Sequence, residues 1–308
     1  ITTDAPPEAI ALLFLGLLTK GGIFVSGLWL PLTHSQSDTP VSAMLSGIVV
    51  KTGVFPLVRC MQLVDSIEPT LQLFGIGTAF IGVCYAIFES DTKRMLAWST
   101  ISQLGFVLIA PAIAGFYALT HGLAKASLFL LAGNLPSRKF QALRQTQIPV
   151  MTWAAVGLAS LSISGFPLLA GFEAKTLVLK ELYPWQASAM TVASVGTAIV
   201  FAKFLFLPTP LLASASGNPP STIKDVPTGT LLALGVTLGG LVIANAVSYQ
   251  VYSVDNIVKA LITIGIGWLI YFGVSRIKIE LPRVLEEFEH LIGAMSIILT
   301  AIFWMVQR

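Results

Sequence analysis

Apolar residues run along the chain in long blocks separated by short polar stretches. The blocks cover roughly 8–30, 41–63, 69–88, 93–110, 112–134, 150–180, 187–207, 227–247, 255–273 and 288–306. Several reach about 20 residues, the length that crosses a bilayer as a helix. The pattern predicts an all-α, polytopic membrane protein with about ten transmembrane helices. Two of these are expected to be discontinuous. The block at 150–180 is too long for one simple span and carries the interruption SGFPLLAGF. There Pro167 removes a backbone donor, and Gly165 and Gly171 loosen the helix around it. A break at membrane depth is tolerated where it is buried or lines a wet cavity, and transporters place ion sites at such breaks. The first block runs into PLTHSQSDTP, between Pro31 and Pro40, which predicts the second interruption. No internal repeat emerges.

Composition sharpens the class. Hydrophobic residues make up 55% of the chain, charged residues 11%, and mean hydropathy is +0.83. A soluble chain would carry roughly twice that charged fraction. The net charge of +3 matters less than where the cations lie. The loop 135–149 holds Arg138, Lys139 and Arg144 and no acid, which places it on the cytoplasmic side. Alternation puts 89–93, 208–226 and 274–287 there too, with Lys93, Arg94, Lys224, Arg276, Lys278 and Arg283 in or beside them. The opposite loops hold Asp65, Glu68, Glu181 and Asp255, and only Arg59, Lys180, Lys259 and Arg308 lie near them. Both ends of this chain are then expected to face the periplasm or lumen. The first residue is Ile1 and no signal peptide precedes the first block, so the sequence is expected to begin inside a larger or split protein.

Cys60 and Cys84 belong to no CxxC pair, and three histidines show no HExxH spacing. Disulfide frameworks, Fe–S clusters and zinc sites are therefore not indicated. No GxGxxG or P-loop pattern is present. The chain is expected to hold no cofactor, no metal, and no redox or hydrolytic site, and to bind no nucleic acid.

The candidate chemistry lies in cations set within apolar blocks: Lys20, Lys51, Lys125 and Lys175, with His121 four residues before Lys125 on one helical face. An ammonium at mid-bilayer costs about 2.5–3.5 kcal/mol on insertion scales. Such groups are read as a proton or ion relay, the alternative being a lysine neutralised by a structural partner. Burial favours the neutral amine and a nearby carboxylate favours the ammonium, so moving a carboxylate can switch a lysine between holding and giving a proton. Ser46, Thr52, Ser99 and Thr120 could help to hold connecting water. His34, Asp91, Lys93 and Glu173 are supporting polar candidates. Glu173 and Lys175 do not face each other on a helix. Lys203 lies close to the end of its block and is expected to snorkel.

Four stretches resemble one family. DTKRMLAWSTISQLG (Asp91 to Gly105) is similar to the D-x-K-R-x-L-A-Y-S-T-I-S-Q-L-G signature of antiporter-like proton-channel subunits, with Trp98 for the usual Tyr. These subunits occur in respiratory complex I, in type I NAD(P)H dehydrogenases of cyanobacteria and chloroplasts, and in Mrp-type cation/proton antiporters. WLPLTHSQSDTPVSA (Trp29 to Ala43) resembles W-L-P-D-A-H-x-x-A-P-T-P-V-S-A, HGLAKASLFLLAGN (His121 to Asn134) resembles H-x-x-x-K-A-x-L-F-L-x-A-G, and GFPLLAGFEAK (Gly165 to Lys175) resembles G-x-P-P-x-x-G-F-x-x-K. Each alone is modest, but together and in order they are specific.

The resemblance implies family helices seven to fourteen over about residues 8–247. The chain then divides into an antiporter-like domain, 1–250, and an extension of two helices, 251–308. It implies that Lys20 is the broken-helix lysine that pairs with a glutamate on helix five. It implies that Lys51 is the connecting lysine, His121 and Lys125 the helix-eleven relay, and Lys175 the exit-side group, with Asp91 and Lys93 near the cytoplasmic end of helix ten. Departures are Leu32 for Asp, Ser37-Asp38 for Ala-Pro, and Leu168 for the second proline. The family's first six helices, with the helix-five glutamate, have no counterpart here.

The leading expectation is a proton- or cation-translocating membrane subunit of a Mrp-type Na⁺/H⁺ antiporter, preferred because the Trp29–Ala43 loop departs from the dehydrogenase form. The alternative is a proton-pumping subunit of an NAD(P)H- or ferredoxin-quinone oxidoreductase. An alternative of another class is a non-conducting scaffold protein, against which the retained lysines argue. Partners would be other membrane subunits, the bilayer, protons and Na⁺, in a bacterial cytoplasmic or a thylakoid membrane.

Overall fold

A computed structural model describes residues 6–63, 67–209, 228–247, 251–275, 277 and 288–306. The secondary structure there is helical. The interruption predicted in the first block is present as two breaks, one at Gly22 and one at Ser37–Asp38, between Pro31 and Pro40. Helix α1 (Pro7–Gly21) meets the stretch Phe24–Gln36, a 3-10 turn (Phe24–Gly27) followed by α2 (Trp29–Gln36), at a 50° bend. Gly22 ends α1 in the left-handed conformation (φ 66), its N–H returning to the carbonyls of Leu18 and Thr19. Phe24 also has positive φ (51), and its N–H donates to Thr78 Oγ1 at 2.8 Å. Trp29 Nε1 reaches back across the break to Thr19 O at 2.8 Å. Pro31 lies in the first turn of α2, where an N–H would have no intrahelical partner anyway.

Helix α3 (Thr39–Met44) and α4 (Lys51–Leu63) form one apolar span, Thr39–Leu63, joined by a single π-helical turn at Leu45–Val49. Then follow α5 (Glu68–Phe88), α6 (Thr92–Ile109), α7 (Ala114–Gly133) and the one-turn α8 (Phe140–Leu143). The second interruption separates α9 (Val150–Ser164) from α10 (Ala170–Glu181). Gly165 caps α9 with φ 86, and Leu168 has φ 73. The remaining helices are α11 (Pro184–Leu205), α12 (Thr228–Val247), α13 (Val254–Val274) and α14 (Phe288–Val306).

By length and composition, five described spans could cross a membrane: Thr39–Leu63, α5, α11, α12 and α13. The bent α1–α2 pair makes a sixth. The other expected blocks are helical but fall short individually. α6 opens on Lys93-Arg94, α7 contains His121 and Lys125, and α9 and α10 are halves flanking a break.

Asp91 starts α6, its side chain accepting from Arg94 N at 3.1 Å. The helix is buried along its whole length and packs against α2, α4, α5, α7, α10 and α11. It is the axis of the bundle. α12 and α13 lie outside and turn Leu231, Leu232, Val236, Ile243, Ile262 and Leu269 outward.

Segments 89–93 and 135–149 meet at one end: Thr92 N–H donates to Arg138 O at 2.8 Å and Phe140 N–H to Ser90 O at 3.0 Å. Ile148 N–H to Pro208 O, 2.8 Å, joins the start of the 208–226 loop to the same end. Lys93, Arg94, Arg138, Lys139 and Arg144 gather there, while Glu68 and Glu181 line a cavity at the other end with Gln62 and Pro111. The loop charges Asp65, Lys224, Arg276, Lys278, Arg283 and Arg308 lie outside the described residues.

Candidate functional site

The predicted cations do not all meet. Lys20 lies in the last turn of α1 and is exposed, not buried. It lines a cleft of about 460 Å³ with Thr19, Trp29, and Leu291 and Met295 of α14. The helices carrying Lys20 and Lys51 nevertheless touch backbone to backbone. A Cβ on Gly53 would stand 2.3 Å from Gly21 N, so only glycine allows this approach.

Lys51 is buried and begins α4 directly after the π turn. Its ammonium donates to Ser46 O inside that turn. Ser46 Oγ in turn shares a 2.8 Å hydrogen bond with Thr100 on α6. A π turn widens the helix locally, and such turns cluster at functional sites. Thr52 is turned away, exposed, and bonded to Val49 O.

Lys125 is fully buried, donates to Leu96 O at 2.9 Å and to Ser99 Oγ, and stands 5.1 Å over the Phe201 ring. One turn earlier on α7, His121 is buried, with neither ring nitrogen hydrogen-bonded among the described residues. His121, Lys175, Thr120, Gln103, Tyr117 and Ser162 line one cavity of about 10 Å³, close to the space one water needs.

Lys175 projects into that cavity from α10, just past the second break. It is buried, its ammonium has no hydrogen-bond partner among the described residues, and it stands 5.3 Å over the Phe106 ring. Glu173 is fully buried on the same helix.

Sequence reasoning missed Gln103 and Tyr117. Tyr117 OH donates to Gln103 Oε1 at 2.7 Å, and Gln103 Nε2 donates to Thr197 Oγ1 at 3.1 Å, fixing the cavity wall between α6, α7 and α11. The signal was spacing: Tyr117, His121 and Lys125 recur every four residues on one face of α7.

At the end that carries the basic loops, His34 is fully buried and stacks on Phe129 at 4.5 Å. Lys93 donates to Ser37 O at 2.9 Å. Asp91 is committed to its cap and to Arg138 at 3.0 Å, beside the buried Arg94–Glu89 pair, also at 3.0 Å. Lys203 does not snorkel freely. It is buried and donates to Ala86 O and Glu89 O at 2.9 and 2.8 Å, where α5 ends.

Several proteins are similar to this chain in sequence. NADH-ubiquinone oxidoreductase chain 5 of Arabidopsis thaliana is 31% identical over 257 residues, covering 73% of this chain and 37% of that protein. A probable K⁺/H⁺ antiporter protein of Rhizobium meliloti is 36% identical over 56% of this chain and 19% of its own length. Hydrogenase-4 component B of Escherichia coli is 32% identical over 57% of this chain and 30% of its own. The chain thus spans well under half the length of these relatives. The solved Mrp complex of Dietzia sp. shares the fold, with TM-score 0.68 at 22% identity over 96% of this chain and 37% of that one. The family described as NADH:quinone oxidoreductase/Mrp antiporter, transmembrane, matches residues 8–200. With that match covering more than half of it, the chain belongs to this family and is an antiporter-like polytopic membrane protein with buried lysines and histidines at its centre.

Proposed function

We propose that this chain is a proton-translocating subunit of a multi-subunit membrane complex. It moves protons along Lys51, Lys125, His121 and Lys175 and releases them beyond Lys175. The observation that carries the reading is the water-sized cavity that His121 and Lys175 share. Two titratable groups from different helices face one small cavity, and neither has a hydrogen-bond partner among the described residues. A single water there could take a proton from one and pass it to the other. Lys93 and His34 form the approach from the cytoplasmic end, and the ten apolar blocks are taken as ten membrane-crossing segments. The chemistry needs only groups that gain and lose protons reversibly, without covalent intermediates.

A Mrp-type cation/proton antiporter is the assembly the loop at Trp29–Ala43 favours, and the 36% identity to the R. meliloti protein supports it. The oxidoreductase reading has its own support, since the chain-5 relative covers more of this chain. Companion subunits in the purified native complex decide between them: flavin and Fe–S proteins for the oxidoreductase, small hydrophobic subunits alone for the antiporter. The relay itself is tested by His121→Gln and Lys175→Ala in the intact complex. Each should reduce proton movement in proteoliposomes to the level of protein-free vesicles while the complex still assembles. Wild-type transport by either variant would overturn the relay at that site.

A further inference from the structure

A second, much larger cavity lies on the other side of Lys175. It is a half-open space of about 650 Å³ between α10, α11 and α13, toward the end of the bundle that carries Glu181. Among the described residues, Lys175 is the one side chain that lines both this cavity and the small one beside His121.

The space exists because α11 and α13 pack closely over one half of their length and part over the other. A Cβ on Gly267 would lie 2.6 Å from Ala198 Cβ and 2.8 Å from Val195 O. Ile264 and Tyr271 are buried nearby, and Arg144 donates to Tyr271 OH at 3.2 Å. Toward the start of α13 the helix stands away from α11, and the cavity fills the gap.

Most of its wall is apolar, with Phe172, Leu179, Val195, Ile262 and Ile266, and a few polar groups are set into it. Lys175 sits at the inner end, while Lys180 and Lys259 are exposed at the rim. The hydroxyls of Thr176, Thr191 and Ser194 lie on the wall with them. No carboxylate lines the cavity among the described residues. Asp255 pairs with Lys259 at 2.7 Å but is not part of the wall. Hard metal cations take carboxylate and carbonyl oxygens, and Lys or Arg charge bars every free cation, hydronium included. A proton can still leave by binding to and leaving titratable amines, hydroxyls and water in turn, a route closed to a metal cation.

We propose that this cavity is a proton-release vestibule whose lysines exclude metal cations, with α13 as its outer wall. The proposal rests on the relay reading above for the proton's origin, and α13 lies beyond the residues the family match covers. If the complex exchanges a metal cation for protons, that cation takes a different route.

The test reads the electrostatics without needing transport. In the intact complex, with Cys60→Ser and Cys84→Ser, Thr191→Cys places a thiol on the wall. Ser188→Cys, at the rim, serves if that variant does not assemble. Methanethiosulfonates carrying a sulfonate or a trimethylammonium are applied from the side opposite the 135–149 loop, and rates are normalised to those of a free thiol. The anionic reagent should be favoured roughly tenfold, and Lys180→Gln with Lys259→Gln should remove the preference. Equal normalised rates, a cationic preference, or no reaction with either reagent would overturn the vestibule. Normal transport in a Lys51→Met complex would overturn the relay alone and leave the filter standing.

Discussion

The buried lysines separate by what each ammonium meets. Lys203 meets two carbonyls at the end of α5, and its charge also suits the negative end of that helix. That is a structural bond. Lys203→Met leaves both carbonyls without this donor and should destabilise the purified complex by about 2–3 kcal/mol, read as a lowered unfolding midpoint, with transport retained by the folded fraction. Loss of transport without loss of stability would move Lys203 into the relay. Lys175 is the opposite case, with a cavity on each side and no hydrogen bond among the described residues. Lys51 and Lys125 lie between, each holding a backbone carbonyl and a connection to a hydroxyl on α6. The sequence made these lysines visible because charge in an apolar block is conspicuous. It did not reveal that Lys20 is exposed or that Lys203 caps a helix, since both depend on which neighbours pack there.

At the scale of elements, the apolar blocks and the break at SGFPLLAGF were legible because hydropathy and proline act locally. The α1–α2 break lies at Gly22, where a left-handed cap stops the helix, and the chain breaks again at Ser37–Asp38, between Pro31 and Pro40, where α2 ends and α3 begins. The π turn before Lys51 left no readable mark, as LSGIV would sit equally well in an α-helix. Close helix contacts were likewise hidden in single glycines. Gly53→Leu should force α1 from α4 and cost at least about 1–3 kcal/mol, whereas Gly115→Ala, with open space around its Cβ, should be neutral or slightly stabilising. Thermal unfolding of the two complexes compares them directly. The ends of the bundle make a further prediction. Ser137→Cys should label from the cytoplasm and Ser253→Cys from the opposite side. The reverse pattern would mean that the basic end lies outside.

At the scale of the whole molecule, a sequence of buried polar groups crosses the bundle around α6, from Lys93 and His34 through Lys51, Lys125 and His121 to Lys175. Lys20 stands apart in a surface cleft. Coupling requires a partner that biases Lys20 between two states. The 308-residue chain reconstituted alone should therefore not couple cation movement to protons. Cation-dependent proton flux from it, lost in Lys20→Met, would place the switch within these residues.

The central claim is that protons pass through the middle of this chain, and Lys51→Met tests it most directly. Methionine is close in length and apolar, so the span and its π turn should still pack, while the titrating group is gone. In the purified, fully assembled complex in proteoliposomes, the account predicts proton translocation at the level of protein-free vesicles. Wild-type flux from an assembled Lys51→Met complex would contradict it.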